Sequence, residues 1–290
     1  MDVDSRINAA LKNALHSSRG PACPPGLADA MEYAVFPGGH RIRPRLCFAV
    51  ALAHEEPDDA VLDAAASSIE LLHCASLVHD DMPCFDNADM RRGKPAVHIE
   101  FGESLALLCG DALIVHAFQV LASVAPVAPR RVANLLGIVS QGVGAPDGIV
   151  AGQAWECESS RNLRDYQRGK TGVLFAAATM AGAAAAGAPH EDWYALGAAM
   201  GEAYQVADDL LDRFGTAEVI GKPVGRDAQL DRSNAVSEMG VDGASQRLRD
   251  IIDEMIETIP DCPGRKGLSD LIRIEATRFI ELALRARQAA

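Results

Sequence analysis

The chain has 290 residues, of which 49% are apolar, 23% charged and 5% aromatic, with a net charge of −13. A chain of this length buries most of its apolar surface without disulfides or a structural metal, and 25 Gly and 15 Pro exclude collagen-like and low-complexity classes. The acidic balance argues against sequence-independent nucleic-acid binding and against electrostatic attachment to anionic lipid, since both need a basic face.

Apolar residues recur at three- and four-residue spacing through most of the sequence. In chain order the spacing predicts helices over Val3–Ser17, Leu27–Val35, Ile42–His54 and Asp58–Met82, then Ser104–Val124, Arg130–Val143, Asp147–Ser159 and Leu163–Gly187. Three more follow over Glu191–Phe214, Gly243–Ile259 and Gly267–Gln288. Breakers separate them, among them Pro37-Gly38-Gly39, Pro57, Pro126, Pro146 and Pro189. β-alternation of useful length, fixed-period repeats and Ser/Gly-rich linkers are absent, so residues 1–290 read as one all-α domain. Leu62–Val78 and Val173–Ala186 are apolar almost all round, as helices in the middle of a bundle are. The seven Cys form no CxxC pair, which fits a reducing compartment. The N-terminal stretch has no continuous apolar region of the signal-peptide kind, and the small-residue run Val173–Ala188 is too short for a bilayer that needs roughly 20 residues. These features predict a soluble cytoplasmic chain without a transmembrane segment.

Two aspartate clusters stand out. Asp80-Asp81, followed by Asp86 and Asp89, ends an apolar helix two residues before Pro83. Asp208-Asp209 and Asp212 end another. Asp208 and Asp212 share a face at i,i+4. Both clusters lie at the electrostatically wrong end, because the unpaired carbonyls of a helix C-terminus already carry partial negative charge. A divalent cation reverses that repulsion, and oxygen-only ligand sets suit Mg²⁺ or Mn²⁺ better than Zn²⁺. A solvated acidic helix end explains either cluster alone; two of them, each adjoining an apolar helix, favour metal binding.

Basic residues accompany the acids. Arg91-Arg92-Gly93-Lys94 follows the first cluster, and Gly38-Gly39-His40-Arg41-Ile42-Arg43 opens an earlier helix. Arg forks bind phosphate bidentately, and a Gly pair lets backbone N–H groups approach an anion. Lys170-Thr171-Gly172 and Gly221-Lys222-Pro223 add donors. Taken singly these are surface charge; taken together they imply phosphate or diphosphate substrates, one held through metal and one directly. Neither a Walker loop nor G-x-S-x-G is present. An apolar helical core beside a diphosphate site points to a hydrocarbon diphosphate that ionises at carbon–oxygen.

With GGHRIRP, HCASLVHDDMPCFDNADMRRGKP, GQAWE, KTG, YQVADDLLD and GKPVGRD in this order and spacing, the chain resembles the trans-isoprenyl diphosphate synthases, or polyprenyl synthetases, over nearly its whole length. It looks most like the bacterial short-chain members that make geranylgeranyl diphosphate for carotenoid or chlorophyll side chains. The resemblance implies a homodimeric helical bundle around a central cavity. It further implies that Asp80, Asp81, Asp86 and Asp208, with Asp209 and Asp212, hold Mg²⁺ on an allylic diphosphate contacted by Arg91, Lys170, Thr171, Gln205 and Lys222. Arg43, His73 and Arg92, with His40 beside them, would bind isopentenyl diphosphate. The implied reaction lengthens the allylic diphosphate by one isoprene unit. The chain departs from the family at His40, where Lys is usual, at Arg232, where Lys is usual, and at Ser233-Asn234-Ala235, where Thr-Tyr-Pro is common.

Product length follows from the helix carrying Asp80. Ala75 and Ser76 lie roughly 6–7.5 Å back from Asp80 at a rise of about 1.5 Å per residue. Farnesyl-producing relatives carry a bulky aromatic at this level, and both residues here are small. The expected product is therefore geranylgeranyl diphosphate. A farnesyl or longer-chain synthase, a terpene cyclase or head-to-head enzyme, and a non-catalytic synthase subunit are the alternatives, the last being disfavoured by two complete aspartate motifs.

Overall fold

The computed structural model describes residues 2–54, 57–159, 165–166, 168–214 and 235–274, and for 212–214 the backbone only. Helices dominate the described residues: α1 (Val3–Ser18), α2 (Pro25–Val35), α3 (Ile42–Leu52), α4 (Asp59–Asp80), α5 (Val97–Phe101), α6 (Glu103–Ser123), α7 (Pro129–Val143), α8 (Ile149–Ala154), α9 (Val173–Ala186), α10 (Tyr194–Phe214) and α11 (Ala235–Glu257). Residues 265–274 are helical as well. A small hairpin of β1 (Met90–Arg91) and β2 (Lys94–Pro95) precedes α5. Two compact units can be distinguished, one comprising Met1–Ser140 with Met180–His190, the other Gln141–Thr179 with Glu191–Ala290.

The first unit is built on α4, which packs against α6, α3, α1 and α2. Asp58 caps its N-terminus by accepting from the N–H groups of Ala60 and Val61, at 3.0 and 3.1 Å. Fourteen of its 22 residues are buried, on every face, as its unbroken apolar composition predicts. Gly110 on α6 lets the two helices meet, since a Cβ there would lie 2.1 Å from His79 Nε2. Within α4 the one buried carboxylate, Glu70, is paired with Arg41. Arg41 has φ 51° and also donates to Val35 O at 2.6 Å, which closes the C-terminus of α2.

By length and composition α4 and α6 could each cross a membrane, but most of the apolar window of α4 is buried in the unit. Less than half of the apolar window of α6 is buried, and Leu107, Leu108 and Val115 are open to solvent.

In the second unit α8 runs into a 3₁₀ turn at Trp155–Cys157, and a π turn at Arg168–Gly172 leads into α9. Glycines set the packing. A Cβ on Gly152 would fall 2.2 Å from Lys170 N, and one on Gly201 of α10 would fall 2.6 Å from Gly172 Cα. Gly197, four residues earlier, meets Ala176 Cα of α9 in the same way at 2.4 Å. The stripe Gly197, Gly201, Gln205, Asp209 therefore lies along one face of α10, and its first half lets the backbones touch so that its second half reaches the π turn.

The sequence-predicted helices recur with local differences. The stretch predicted as Asp147–Ser159 is helical over Ile149–Ala154 before tightening to 3₁₀, and α9 starts at Val173, after the π turn. Helix α11 contains a kink at Gly240, φ 71°, so the run after it agrees with the predicted start at Gly243. The parts of the predicted helices at 163–164, 167 and 275–288 lie outside the described residues. Helix α5 and the hairpin come as additions.

Candidate active site

The first acidic end lies in the first unit. Helix α4 stops at Asp80, and the chain folds back over its own C-terminus: Asp86 N donates to Asp80 O at 2.9 Å and Ala88 N to Asp81 O at 3.0 Å. Asn87, at φ 44°, makes the reversal. Backbone N–H groups thus satisfy the terminal carbonyls. The same fold-back sets carboxylate oxygens of Asp80 and Asp86 within 4.8 Å of each other. Both side chains are half-buried.

Asp81 is different. It is 2% exposed and receives Arg91 side-on, with Nε 3.0 Å from both Oδ1 and Oδ2 and a further bond from the terminal nitrogen. Burial pushes the Asp81 carboxyl up from its ordinary value, Arg91 pulls it down, and Asp80 and Asp86 push it up again, with a net upward shift. Arg91 comes from β1 of the hairpin, whose two-residue turn, Arg92-Gly93, has positive φ at both positions (53° and 76°), the geometry that joins tightly twisted strands.

A cationic cradle surrounds His73, about two turns before the acids on α4. Arg43, 8% exposed, lies 3.4 Å from His73 Nε2. The ring is held well below the ordinary histidine value, first by burial and then by Arg43, Arg92, Arg91 and Arg41. It is accordingly neutral at pH 7. The Gly pair before α3 makes room for these guanidinium groups. A Cβ on Gly38 would strike Arg41 at 2.1 Å, and one on Gly39 would meet Arg92 Nε at 3.0 Å. His40 is exposed. Lys94 of the basic run faces elsewhere: its ammonium donates to Tyr33 O and, at 2.7 Å, to Phe36 O, tying the hairpin to the end of α2. Ala75 is 1% exposed, and Ser76 donates its hydroxyl to His73 O at 2.8 Å.

The second acidic end lies in the second unit. Asp208 is half-buried, whereas Asp209 is 2% exposed. Asp209 Oδ1 accepts from Gln205 Nε2 at 2.9 Å and Oδ2 from Ala235 N, the first residue of α11, at 2.9 Å. Gln205 Oε1 in turn accepts from the Thr171 hydroxyl at 3.1 Å. Lys170 Nζ, beside Thr171 on the π turn, bonds Glu156 Oε1 at 2.8 Å. Widened π turns recur at functional sites. The side chain of Asp212, and Lys222 and Arg232 entirely, lie outside the described residues.

Within the first unit the fold unites Asp80, Asp81, Asp86 and Arg91 at one helix end and Arg43, His73 and Arg92 beside it. Within the second it unites Lys170, Thr171, Gln205 and Asp209. Sequence reasoning gave no role to Glu70 or Glu156, and it counted Arg41 among the phosphate-binding basic run, whereas Arg41 is spent on Glu70. A signal for this pairing was available in a lone Glu inside an otherwise apolar helix, which requires a cationic partner.

Such an arrangement defines a helical protein of the isoprenoid-synthase type. The chain belongs to the polyprenyl synthetase family, whose description, Polyprenyl synthetase, matches residues 24–267. It is 50% identical over 287 residues to a geranylgeranyl diphosphate synthase of Cereibacter sphaeroides, covering 99% of this chain and 100% of that one. It is 35% identical to a farnesyl diphosphate synthase of Haemophilus influenzae, with 95% and 96% covered. Among solved structures, a geranyltransferase of Helicobacter pylori complexed with magnesium and isoprenyl diphosphate superposes with a TM-score of 0.80 at 27% identity, covering 94% of this chain and 97% of that one. An FPP/GFPP synthase of Zymomonas mobilis also reaches 0.80, at 28% identity, over 96% and 97%.

Proposed function

We propose that this chain is a Mg²⁺-dependent prenyltransferase that condenses isopentenyl diphosphate head-to-tail with dimethylallyl, geranyl or farnesyl diphosphate and ends at geranylgeranyl diphosphate, releasing diphosphate. The observation that carries it is the oxygen-only pair Asp80 and Asp86 on a capped apolar helix end, next to the cradle of Arg43, His73 and Arg92. The donors are all carboxylates, without Cys or His, which fits a hard cation. Mn²⁺ would meet the same donors.

Asp80 and Asp86 in the first unit and Asp208 in the second are the metal ligands in this reading, with Asp212 a further candidate. Asp81 and Asp209, whose oxygens already accept from protein groups, serve to aim their neighbours. This narrows the wider ligand set that the resemblance implies. Bound Mg²⁺ supplies charge neutralisation that makes the allylic diphosphate a leaving group. Arg91, Lys170, Thr171 and Gln205, with Lys222, contact that diphosphate. Arg43, Arg92 and neutral His73, with exposed His40 and with Arg232, bind the diphosphate of isopentenyl diphosphate. Preorganised donors at the departing group provide the main catalytic gain. The allylic carbon–oxygen bond breaks, the isopentenyl double bond attacks the allylic carbon, and a proton is lost.

Ala75 and Ser76, both small, line the route of the growing tail and set product length. The exposed apolar face of α6, with Leu107, Leu108 and Val115, is the pairing face of a homodimer. The whole chain acts as one polyprenyl synthetase domain in the cytoplasm. A farnesyl product is the second reading, favoured by the similarity to the Haemophilus influenzae protein.

A product assay tests the reading. Purified protein is given isopentenyl diphosphate with each allylic primer, with and without Mg²⁺, and the phosphatase-released alcohols are sized by chromatography. Mg²⁺-dependent geranylgeraniol is expected, and Ala75→Phe should shift the product to farnesol. Farnesol from the unaltered chain overturns the length assignment, and no elongation with any primer overturns the activity.

A further inference from the structure

The carboxylate of Glu156 has three neighbours in the second unit. Lys170 Nζ and Tyr166 Oη reach Oε1 at 2.8 and 2.7 Å, and Gln153 Nε2 reaches Oε2 at 3.0 Å. The Glu156 side chain is 11% exposed and that of Lys170 21%. The three donors come from three pieces of chain: Gln153 from α8, Tyr166 from the helical residues 165–166, and Lys170 from the π turn itself. What brings them together is the contact of Gly152 with Gly169 and Lys170. A Cβ on Gly169 would lie 2.9 Å from Gly152 Cα, so side chains at either position would push Glu156 away from the lysine. The Lys170 ammonium also lies 5.7 Å from the centre of the Tyr166 ring.

A lysine has a flexible four-carbon stem and a compact charge, so its ammonium is poorly aimed unless something holds it. Here one carboxylate holds it, and that carboxylate is itself held by a phenol and an amide. A surface ion pair would need neither of those extra bonds. We infer that Glu156 is the positioning residue for Lys170, aiming its ammonium at the diphosphate of the allylic substrate while Tyr166 and Gln153 keep the carboxylate from following the lysine. The inference rests on the diphosphate reading of Lys170. It also runs against simple charge: a carboxylate close to an anion site opposes anion binding, so its removal on electrostatic grounds alone should tighten binding. Positioning gives the opposite sign.

The test measures binding of inorganic diphosphate in Mg²⁺ by calorimetry, alongside steady-state kinetics, for the unaltered protein, Glu156→Gln, Glu156→Asp, Lys170→Ala and the double variant Glu156→Gln/Lys170→Ala. Diphosphate affinity and kcat/KM for the allylic substrate should fall about 10–100-fold in Glu156→Gln, the range seen when a supporting hydrogen-bond partner is removed. KM for isopentenyl diphosphate should stay unchanged. Glu156→Asp, which keeps the charge, should recover part of the loss, and the double variant should be no worse than Lys170→Ala, because Glu156 acts through that lysine. Unchanged or tighter diphosphate binding in Glu156→Gln overturns the inference, as does a loss that adds to that of Lys170→Ala. A lower Mn²⁺ stoichiometry in Glu156→Gln would move Glu156 to the metal and overturn it too. An unaltered protein that binds diphosphate but forms no product contradicts the prenyltransferase reading alone; one that binds no diphosphate contradicts both.

Discussion

At the first acidic helix end the inner aspartate, Asp81, is buried against a guanidinium; at the second, Asp209 is buried against an amide and a backbone N–H. The outer aspartates, Asp80 and Asp208, are half-buried in both places. In each unit the inner carboxylate of the DD pair is anchored inward and the outer one is half-buried, Asp80 also lying 3.9 Å from Arg91. The anchors differ in chemistry. Asp81 is charge-paired with a residue that comes from a hairpin, so the first end depends on the β1–β2 turn being formed. Asp209 is held by neutral donors, one on its own helix at i−4 and one at the start of α11, so the second end depends on where α11 begins. A buried carboxylate that loses a charged partner is left with an uncompensated charge, whereas one that loses a neutral donor is left short of one hydrogen bond.

The largest expected effect separates the outer from the inner aspartates. Asp80→Asn and Asp208→Asn should each lower kcat by about 10²–10³-fold, as for loss of one group that stabilises charge at the reacting centre. Their thermal midpoints should barely change. A large fall in midpoint with kcat preserved would reverse the assignment.

Next come the anchors. Arg91→Ala should destabilise the fold by about 3 kcal/mol in urea unfolding, because the Asp81 carboxylate stays buried without its partner. Gln205→Ala should cost about 2 kcal/mol, the worth of a hydrogen bond to an ionised carboxylate. Equal costs at the two ends would remove the distinction between charged and neutral anchoring.

How far the sequence alone carries this picture depends on the kind of feature. The apolar helices were legible from their period, and both acidic ends from the DD spacing before helix-ending residues. The hairpin was not, since two-residue strands are too short for alternation to register, although Arg92-Gly93 is a plausible tight turn once the fold is seen. Nor was the π turn, whose wider hydrogen bonding has no side-chain signature and rests on the touching glycines Gly152 and Gly169. The division within each DD pair was hidden because the two residues are chemically identical. The i,i+4 stripe Gly197, Gly201, Gln205, Asp209 carried a hint, as a run of small residues facing a neighbour places the polar residues that continue it on the packed side. Lys94 read as a phosphate donor from its place beside two arginines, yet the carbonyls of Tyr33 and Phe36 take it.

The smallest expected effect belongs to the cradle beside the first end. The His73 value is lowered in the folded chain, so between that value and about 6.5 the unfolded chain binds a proton that the folded one does not. Stability is therefore fully present above about pH 6.5 and declines as pH falls below it. His73→Asn should flatten this slope relative to the unaltered protein in denaturant titrations from pH 7.5 to 5.5. Parallel slopes would show that the ring takes up its proton equally in both states.

The central claim is that one aspartate of each pair binds metal and the other aims it. Mn²⁺ titration followed by electron paramagnetic resonance, in the presence of inorganic diphosphate, tests it on Asp80→Asn, Asp81→Asn, Asp208→Asn and Asp209→Asn. Asp80→Asn and Asp208→Asn are expected to lose bound Mn²⁺, while Asp81→Asn and Asp209→Asn keep the stoichiometry of the unaltered protein and lose thermal stability. Loss of bound Mn²⁺ in the Asp81 and Asp209 variants at unchanged stability would contradict the account.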